Sequence, residues 1–227
     1  MNMRRAFCVV ALGTAADGLL VRTGLAQSTG QGSEGTGSLQ PRGTPRGRVG
    51  AATRGGPSAD GALALDPVAP LRRVGLTSID QPALYYLLSG RVTQPMRLTI
   101  STPGQARPLA DLELPRPQLP GLGVVRLRDH GVRLTPNRVH VWSVAVLLDP
   151  NNPSRDLVGS ALIEYRPADG VLERAVRDAP PERRHAVLAQ AGCWYDAVAL
   201  AQANRDRDRG GAFAELLAQE GLRMPAG

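Results

Sequence analysis

Between residues 71 and 166 the apolar positions fall in short runs, many with a two-residue period, separated by turns rich in proline and glycine. Met96, Leu98 and Ile100 alternate with Arg97, Thr99 and Ser101, which predicts a half-buried strand with one wet face. Leu84-Tyr85-Tyr86-Leu87-Leu88 is a short apolar run that ends at Ser89-Gly90, and Val124-Val125-Arg126-Leu127 is another. Val139 to Leu148 is apolar on both faces apart from His140 and Ser143, the pattern of a central strand. The turn Asp149-Pro150-Asn151-Asn152-Pro153-Ser154 follows, and Leu157 to Tyr165 supplies the next strand. Roughly six short strands with no helix between them predict an immunoglobulin-like antiparallel β-sandwich.

Near residue 171 the period lengthens. Val171 to Asp178 has room for two helical turns, and Pro180-Pro181-Glu182 suits a helix start, because proline is tolerated in the first turn and an acid there favours the dipole. That helix is expected to run to Ala191 and to break at Gly192. Trp194, Ala197, Val198 and Ala201 then follow the i, i+3, i+4, i+7 spacing of a buried helix face. Gly210-Gly211 ends it, and Phe213, Leu216 and Leu217 mark a last short helix closed by Gly221. The expected fold is mainly β with α, a single domain over 61–227. A sandwich occupies 61–166, and a C-terminal helical hairpin or cap occupies 167–227.

The first 60 residues follow neither pattern. Met1-Asn2-Met3-Arg4-Arg5 is a positive start, Phe7 to Val21 is moderately apolar, and Gly24-Leu25-Ala26 places small residues before a cleavage point. Residues 1–26 therefore read as an export signal, and Arg4-Arg5-Ala6-Phe7 resembles the twin-arginine type. The stretch is shorter than the roughly 20 apolar residues of a membrane span. A periplasmic or secreted location follows, with no transmembrane segment in the mature chain. Cys8 sits inside the apolar stretch without a lipobox, so after cleavage only Cys193 remains and no internal disulfide can form. Its helical apolar context predicts that Cys193 is buried. Residues 27–60, rich in Gly, Ser, Thr, Arg and Pro, read as a flexible arm.

Charge narrows the partners. All 27 basic residues are arginine and the net charge is +7, but the arginines stand beside acids, as in Arg205-Asp206-Arg207-Asp208-Arg209. From residue 71 onward there are 20 Arg against 16 acidic residues. With only 4% aromatics and no basic stripe, nucleic acid is excluded as the expected partner.

Candidate chemistry is sparse. His130, His140 and His185 have no second ligand at metal-binding spacing, and no Gly-x-Ser-x-Gly, phosphate loop or Rossmann fingerprint occurs. Ser154 and Ser160 have no base nearby in sequence. Catalytic residue, metal and cofactor are accordingly all assigned as none. Asp149 and Asp156 flank the Pro-Asn turn and could hold calcium through hard oxygens, although turn-forming is the commoner role. The sharpest feature is Trp194-Tyr195-Asp196. On a helix, Trp194 would face the sheet while Asp196 caps a neighbouring backbone or pairs with an arginine. Alternatively, an aromatic pair with a carboxylate makes a stacking platform for sugars or peptides. Tyr85 and Tyr86 invite the same two readings, with one ring outward if the run is a strand.

Several segments, in order, resemble a bacterial exported family known as domain of unknown function 928. They are Arg48-Val49-Gly50-Ala51-Ala52-Thr53-Arg54-Gly55, then Gly75-Leu76-Thr77 with Pro82 and Tyr85-Tyr86, then Gly123-Val124-Val125. Leu134 and Pro136 leading to Trp142, Asp149 to Arg155, Val158-Gly159 and Gly192-Cys193-Trp194-Tyr195-Asp196-Ala197 complete the set, so the resemblance spans about residues 46–222. Family members often carry a Cys just after the Thr-Arg-Gly segment and another near the end of the Trp-containing strand. Here those places hold Pro57 or Ser58 and Leu148. The resemblance implies that the arm near residue 54 lies against the strand ending near 148, which would shorten the flexible arm. It implies little about activity, because the family has no established chemistry.

The functional expectation is an exported, non-enzymatic domain that binds a protein or cell-envelope partner, with Trp194, Tyr195, Asp196, Tyr85 and Tyr86 as candidate binding residues. A carbohydrate- or peptidoglycan-associated module is the alternative, and an uncharacterised hydrolase the third reading.

Overall fold

The structure, a computed structural model, describes residues 47–49, 51–52 and 63–225. The expected export signal, Cys8 and most of the expected arm lie outside the described residues, as do positions 53–58, where the family resemblance placed a contact with the strand ending near 148. Ten strands are described: β1 (Arg48–Val49), β2 (Ala51–Ala52), β3 (Ala64–Pro67), β4 (Gly75–Thr77), β5 (Ala83–Leu88), β6 (Met96–Ser101), β7 (Ala110–Leu114), β8 (Gly121–Arg126), β9 (Val139–Val146) and β10 (Leu157–Tyr165). Four helices follow: α1 (Gly170–Asp178), α2 (Arg184–Gln190), α3 (Trp194–Ala203) and α4 (Gly211–Gln219).

The first sheet has the order β1-β10-β9-β6-β7, with β4 also on β10, and the second has the order β2-β3-β5-β8. The mainly antiparallel two-sheet body with C-terminal helices is what the sequence pattern predicts. One pairing departs from it: β4 runs parallel to β10, Gly75–Thr77 against Ile163–Tyr165. A three-residue strand is too short to show a period, so its direction is set by tertiary contacts. The chain also enters the folded body earlier than composition suggests. Within the expected 27–60 arm, β1 pairs with β10 and β2 with β3.

Period-2 patterning explains the core. Met96, Leu98 and Ile100 of β6 and Trp142, Val144 and Val146 of β9 point inward, in one cluster with Leu65, Leu84, Leu88 and Val125 of the second sheet. β5 is buried along both faces from Leu84 to Leu88, because the sandwich core covers one side and α3 packs against the strand as well. This corrects the expectation that one of the two tyrosines faces outward: Tyr85 is 6% exposed and Tyr86 is 2% exposed. The break at Gly192 falls as expected, whereas α3 already ends at Ala203, short of the expected break at Gly210-Gly211, where α4 begins; the α3 face of Trp194, Ala197, Val198 and Ala201 is buried.

Candidate functional site

Three consecutive residues at the start of α3 fasten the helical cap to the sandwich, each in a different direction because helical neighbours diverge by about 100°. The Trp194 indole N–H donates to the Val68 carbonyl at 3.4 Å. The Tyr195 hydroxyl donates to the Leu162 carbonyl at 2.9 Å and accepts the Trp142 indole N–H at 2.8 Å. Asp196 accepts from the Thr77 hydroxyl, the Ser78 amide and the Ser78 hydroxyl, each at 2.6 Å. Just upstream, the Gly192 carbonyl accepts the Leu76 amide at 3.1 Å.

Leu162 lies where the edge of β10 passes from its partner β1 to its partner β4. The Tyr195 hydroxyl reaches the carbonyl at that junction, and its ring meets Trp142 edge-on with centroids 6.4 Å apart and planes at 67°. Gly75 makes this approach possible: a Cβ there would stand 2.7 Å from Tyr195 Cε2. Burial raises the Tyr195 pKa well above the usual phenol range, so the ring keeps its proton and the hydroxyl remains a donor. Cys193 is buried, as its context predicts, and burial followed by the neighbouring Asp196 carboxylate pushes its thiol up to about 11. A thiol so rarely ionised is a poor nucleophile.

Tyr86 is held in the same manner. Its hydroxyl donates to Gln118 Oε1 at 3.0 Å, and its ring lies across Gly123, where a Cβ would stand 2.2 Å from the ring. Burial pushes its phenol up to about 12; burial also raises Tyr85, against the opposing effect of Arg126. Trp194 and Tyr195 are each 1% exposed. The five candidate residues thus do not converge on one surface. Four rings are in the core, and Asp196 caps the end of β4. Tyr85, Tyr86 and Tyr195 offer no ring face for a ligand to stack on.

The remaining polar candidates are structural too. Asp149 accepts the Asn151 amide and Asp156 the Leu148 amide, so both carboxylates shape the turn they flank. Among the described residues no group of three or more His, Cys, Asp or Glu is placed to hold a metal ion. Arg48 is buried, donates to the Glu220 carbonyl at 3.0 Å and stands 3.5 Å from Asp66, tying β1 to the end of α4 and to β3.

His140 is fully buried on β9. The Thr135 amide donates to Nε2 at 3.3 Å, which assigns the ring proton to Nδ1, 2.9 Å from the Thr102 hydroxyl. Burial lowers its pKa, and the nearby Arg138 charge acts in the same direction. Folding therefore favours the neutral ring. Its stabilising effect is full above the unfolded value near 6.5 and is lost as pH falls toward the lower folded value. Between pH 7 and pH 5 the melting temperature of the wild type is expected to fall further than that of His140→Gln. Parallel pH profiles for the two proteins would disprove this role.

Two surface features were not visible in the sequence. One is a cleft of about 560 Å³ in the cap, between α2 and α4, floored by Trp194 and Leu216 and rimmed by Arg183, His185, Gln190 and Glu215. The other is the outer face of the first sheet. Register aligns Ser160, Ser143 and Thr99 in one row and Val158, Ala145 and Arg97 in the next, with Val49 beside Ser160. Val49 is 52% and Val158 43% exposed. Charge lies toward the rim, at Arg97, Asp111 and Glu113 on the β6–β7 side and at the Arg166–Glu164 pair on the other.

A family model described as Domain of Unknown Function (DUF928) matches residues 49–226. The chain belongs to the DUF928 family. No curated protein and no solved structure matches it. The geometry gives the sequence features of this DUF928 domain a common role. Gly75-Leu76-Thr77 and Gly192 to Asp196, more than a hundred residues apart, meet as β4 and the start of α3. Gly123 and Tyr86 meet across β5 and β8. The first two segments build the joint between sandwich and cap, and Gly123 with Tyr86 packs the second sheet.

Proposed function

We propose that this DUF928 domain is an exported, non-enzymatic binding module whose protein or cell-envelope partner docks on the outer face of the first sheet. The observation that carries the reading is the make-up of that face. Solvent-facing strands usually alternate to charged or long polar side chains, whereas here Val141, Ser143, Ala145, Val158 and Ser160 form an uncharged centre with ion pairs at its margin. An uncharged centre inside a polar rim is the anatomy of a protein interface. The twin-arginine-like start supports the location, and no described helix is long and apolar enough to cross a membrane.

The test is capture by chemical cross-linking in envelope extracts of the source cells, using the tagged full chain. Val158→Arg places a charge at the centre of the face, on a side chain already half in water, so melting temperature should change little. Capture of the partner should fall about tenfold or more. Undiminished capture would remove this face from consideration. Loss of capture on Glu215→Arg instead would favour a carbohydrate or peptidoglycan ligand in the cap cleft.

A further inference from the structure

β8 ends the second sheet, and its two backbone edges are not equivalent. The Leu127 amide donates to the Pro82 carbonyl at 3.0 Å, and antiparallel ladders alternate. The residues that bond toward β5 are therefore Val125, Gly123 and Gly121, opposite Leu84, Tyr86 and Leu88. The N–H and C=O groups of Leu122, Val124 and Arg126 point the other way, and among the described residues no strand pairs with them. Side chains follow the same division. Val124 shares a face with Tyr85 and is 36% exposed, while Leu119 just before the strand is 65% exposed.

Natural edges are commonly blunted by charge or proline. The far edge of the first sheet is protected in this way. On β7, Asp111 and Glu113 flank Leu112, so two-fold pairing would set acid opposite acid, and Pro115 closes the strand. The β4 edge is closed by the bond from Leu76 to Gly192. Within β8, Gly-Leu-Gly-Val-Val-Arg contains neither proline nor acid, and its single charge lies at the end.

We infer that two copies of this chain pair antiparallel through their β8 edges, about a two-fold axis at Val124. This register sets Val124 against Val124 of the second copy and Leu122 against its Arg126. Each outward residue exchanges both backbone bonds with the residue opposite. The arginines stand four residues apart along the paired strands rather than facing each other. The half-exposed valines stand directly opposite each other on one face, and two second sheets become one continuous sheet. The register is self-complementary: each edge offers the other the same alternating donors and acceptors, with no like charges opposed. The edge is separate from the outer face proposed for the partner, so either reading can fail alone.

Sedimentation equilibrium of the full chain, taken up to about 100 µM, tests the inference. The wild type should show a reversible dimer. Val124→Lys sets like charges directly opposite and should weaken dimerisation about tenfold or more, as should Val124→Glu. Because the Val124 side chain is exposed in the single copy, both variants should stay close to the wild-type melting temperature at low concentration. Mixing the Lys and Glu variants should restore the dimer, since only a register with 124 opposite 124 pairs them. A wild type that stays monomeric throughout overturns the inference, as does a dimer that neither variant weakens or a mixture that fails to re-form it.

Discussion

Tyr195→Ala should lower the melting temperature of the DUF928 domain by on the order of 10 °C, measured by circular dichroism. Removing a buried aromatic side chain costs about 3–5 kcal/mol. In a domain of this size each kcal/mol shifts the midpoint by about 2–4 °C. Two features put Tyr195 at the upper end. Its ring sits edge-on to Trp142, and its hydroxyl serves both the Trp142 indole and the Leu162 carbonyl. Tyr195→Phe isolates the second feature. It keeps the ring but leaves a buried donor and a buried acceptor without their partner, a loss of about 1–3 kcal/mol. A Tyr195→Ala protein whose midpoint stays within about 2 °C of wild type would show that the joint does not depend on this ring. Partner capture per folded molecule should be unchanged in both variants, which separates a structural role from a binding one.

The parts of the fold that were legible share a property: their signal is local. β6 shows Met96, Leu98 and Ile100 on one side, and α3 shows Trp194, Ala197, Val198 and Ala201 on one face, so burial follows from spacing alone. The parts that were not legible are fixed from a distance. β1 is two residues in an arginine- and glycine-rich stretch, and it is held by β10 and by Arg48 reaching the Glu220 carbonyl. β7 alternates correctly but stands between Pro108 and Pro115 in a proline-dense region. β4 has too few residues to show any period. The candidate site divides in the same way. Trp194-Tyr195-Asp196 is recognisable in the sequence as a unit, and of its two structural possibilities Asp196 takes the first, capping the backbone at Ser78. The uncharged outer face depends on register: Ser160, Ser143 and Thr99 become neighbours only once three strands are aligned. No window of sequence contains that row.

Gly123→Ala is expected to be the second most damaging of the substitutions considered. A methyl group at this position would fall 2.2 Å from Tyr86 Cζ, 2.3 Å from Cε2 and 2.6 Å from the hydroxyl, and all three belong to a rigid ring. The ring cannot simply swing aside, since Tyr86 is buried beside Leu84 and Leu88 on the same face of β5 and its hydroxyl is engaged by Gln118. Overpacking of this kind costs about 1–3 kcal/mol, and the rigidity of the ring places it at the upper limit. Thermal unfolding of Gly123→Ala, Tyr86→Leu and the double variant checks the cause. Tyr86→Leu alone should destabilise by opening space under β8. In the double variant the added methyl meets no ring, so its combined loss should be smaller than the sum of the single losses by about 1 kcal/mol or more. Additive losses would mean that Gly123 is required for its backbone rather than for the ring it accommodates. The coupling would explain why an aromatic pair on one strand goes with a glycine on the next: the second sheet is built around the Tyr86 ring, and only a residue without a side chain lets β8 lie close over it.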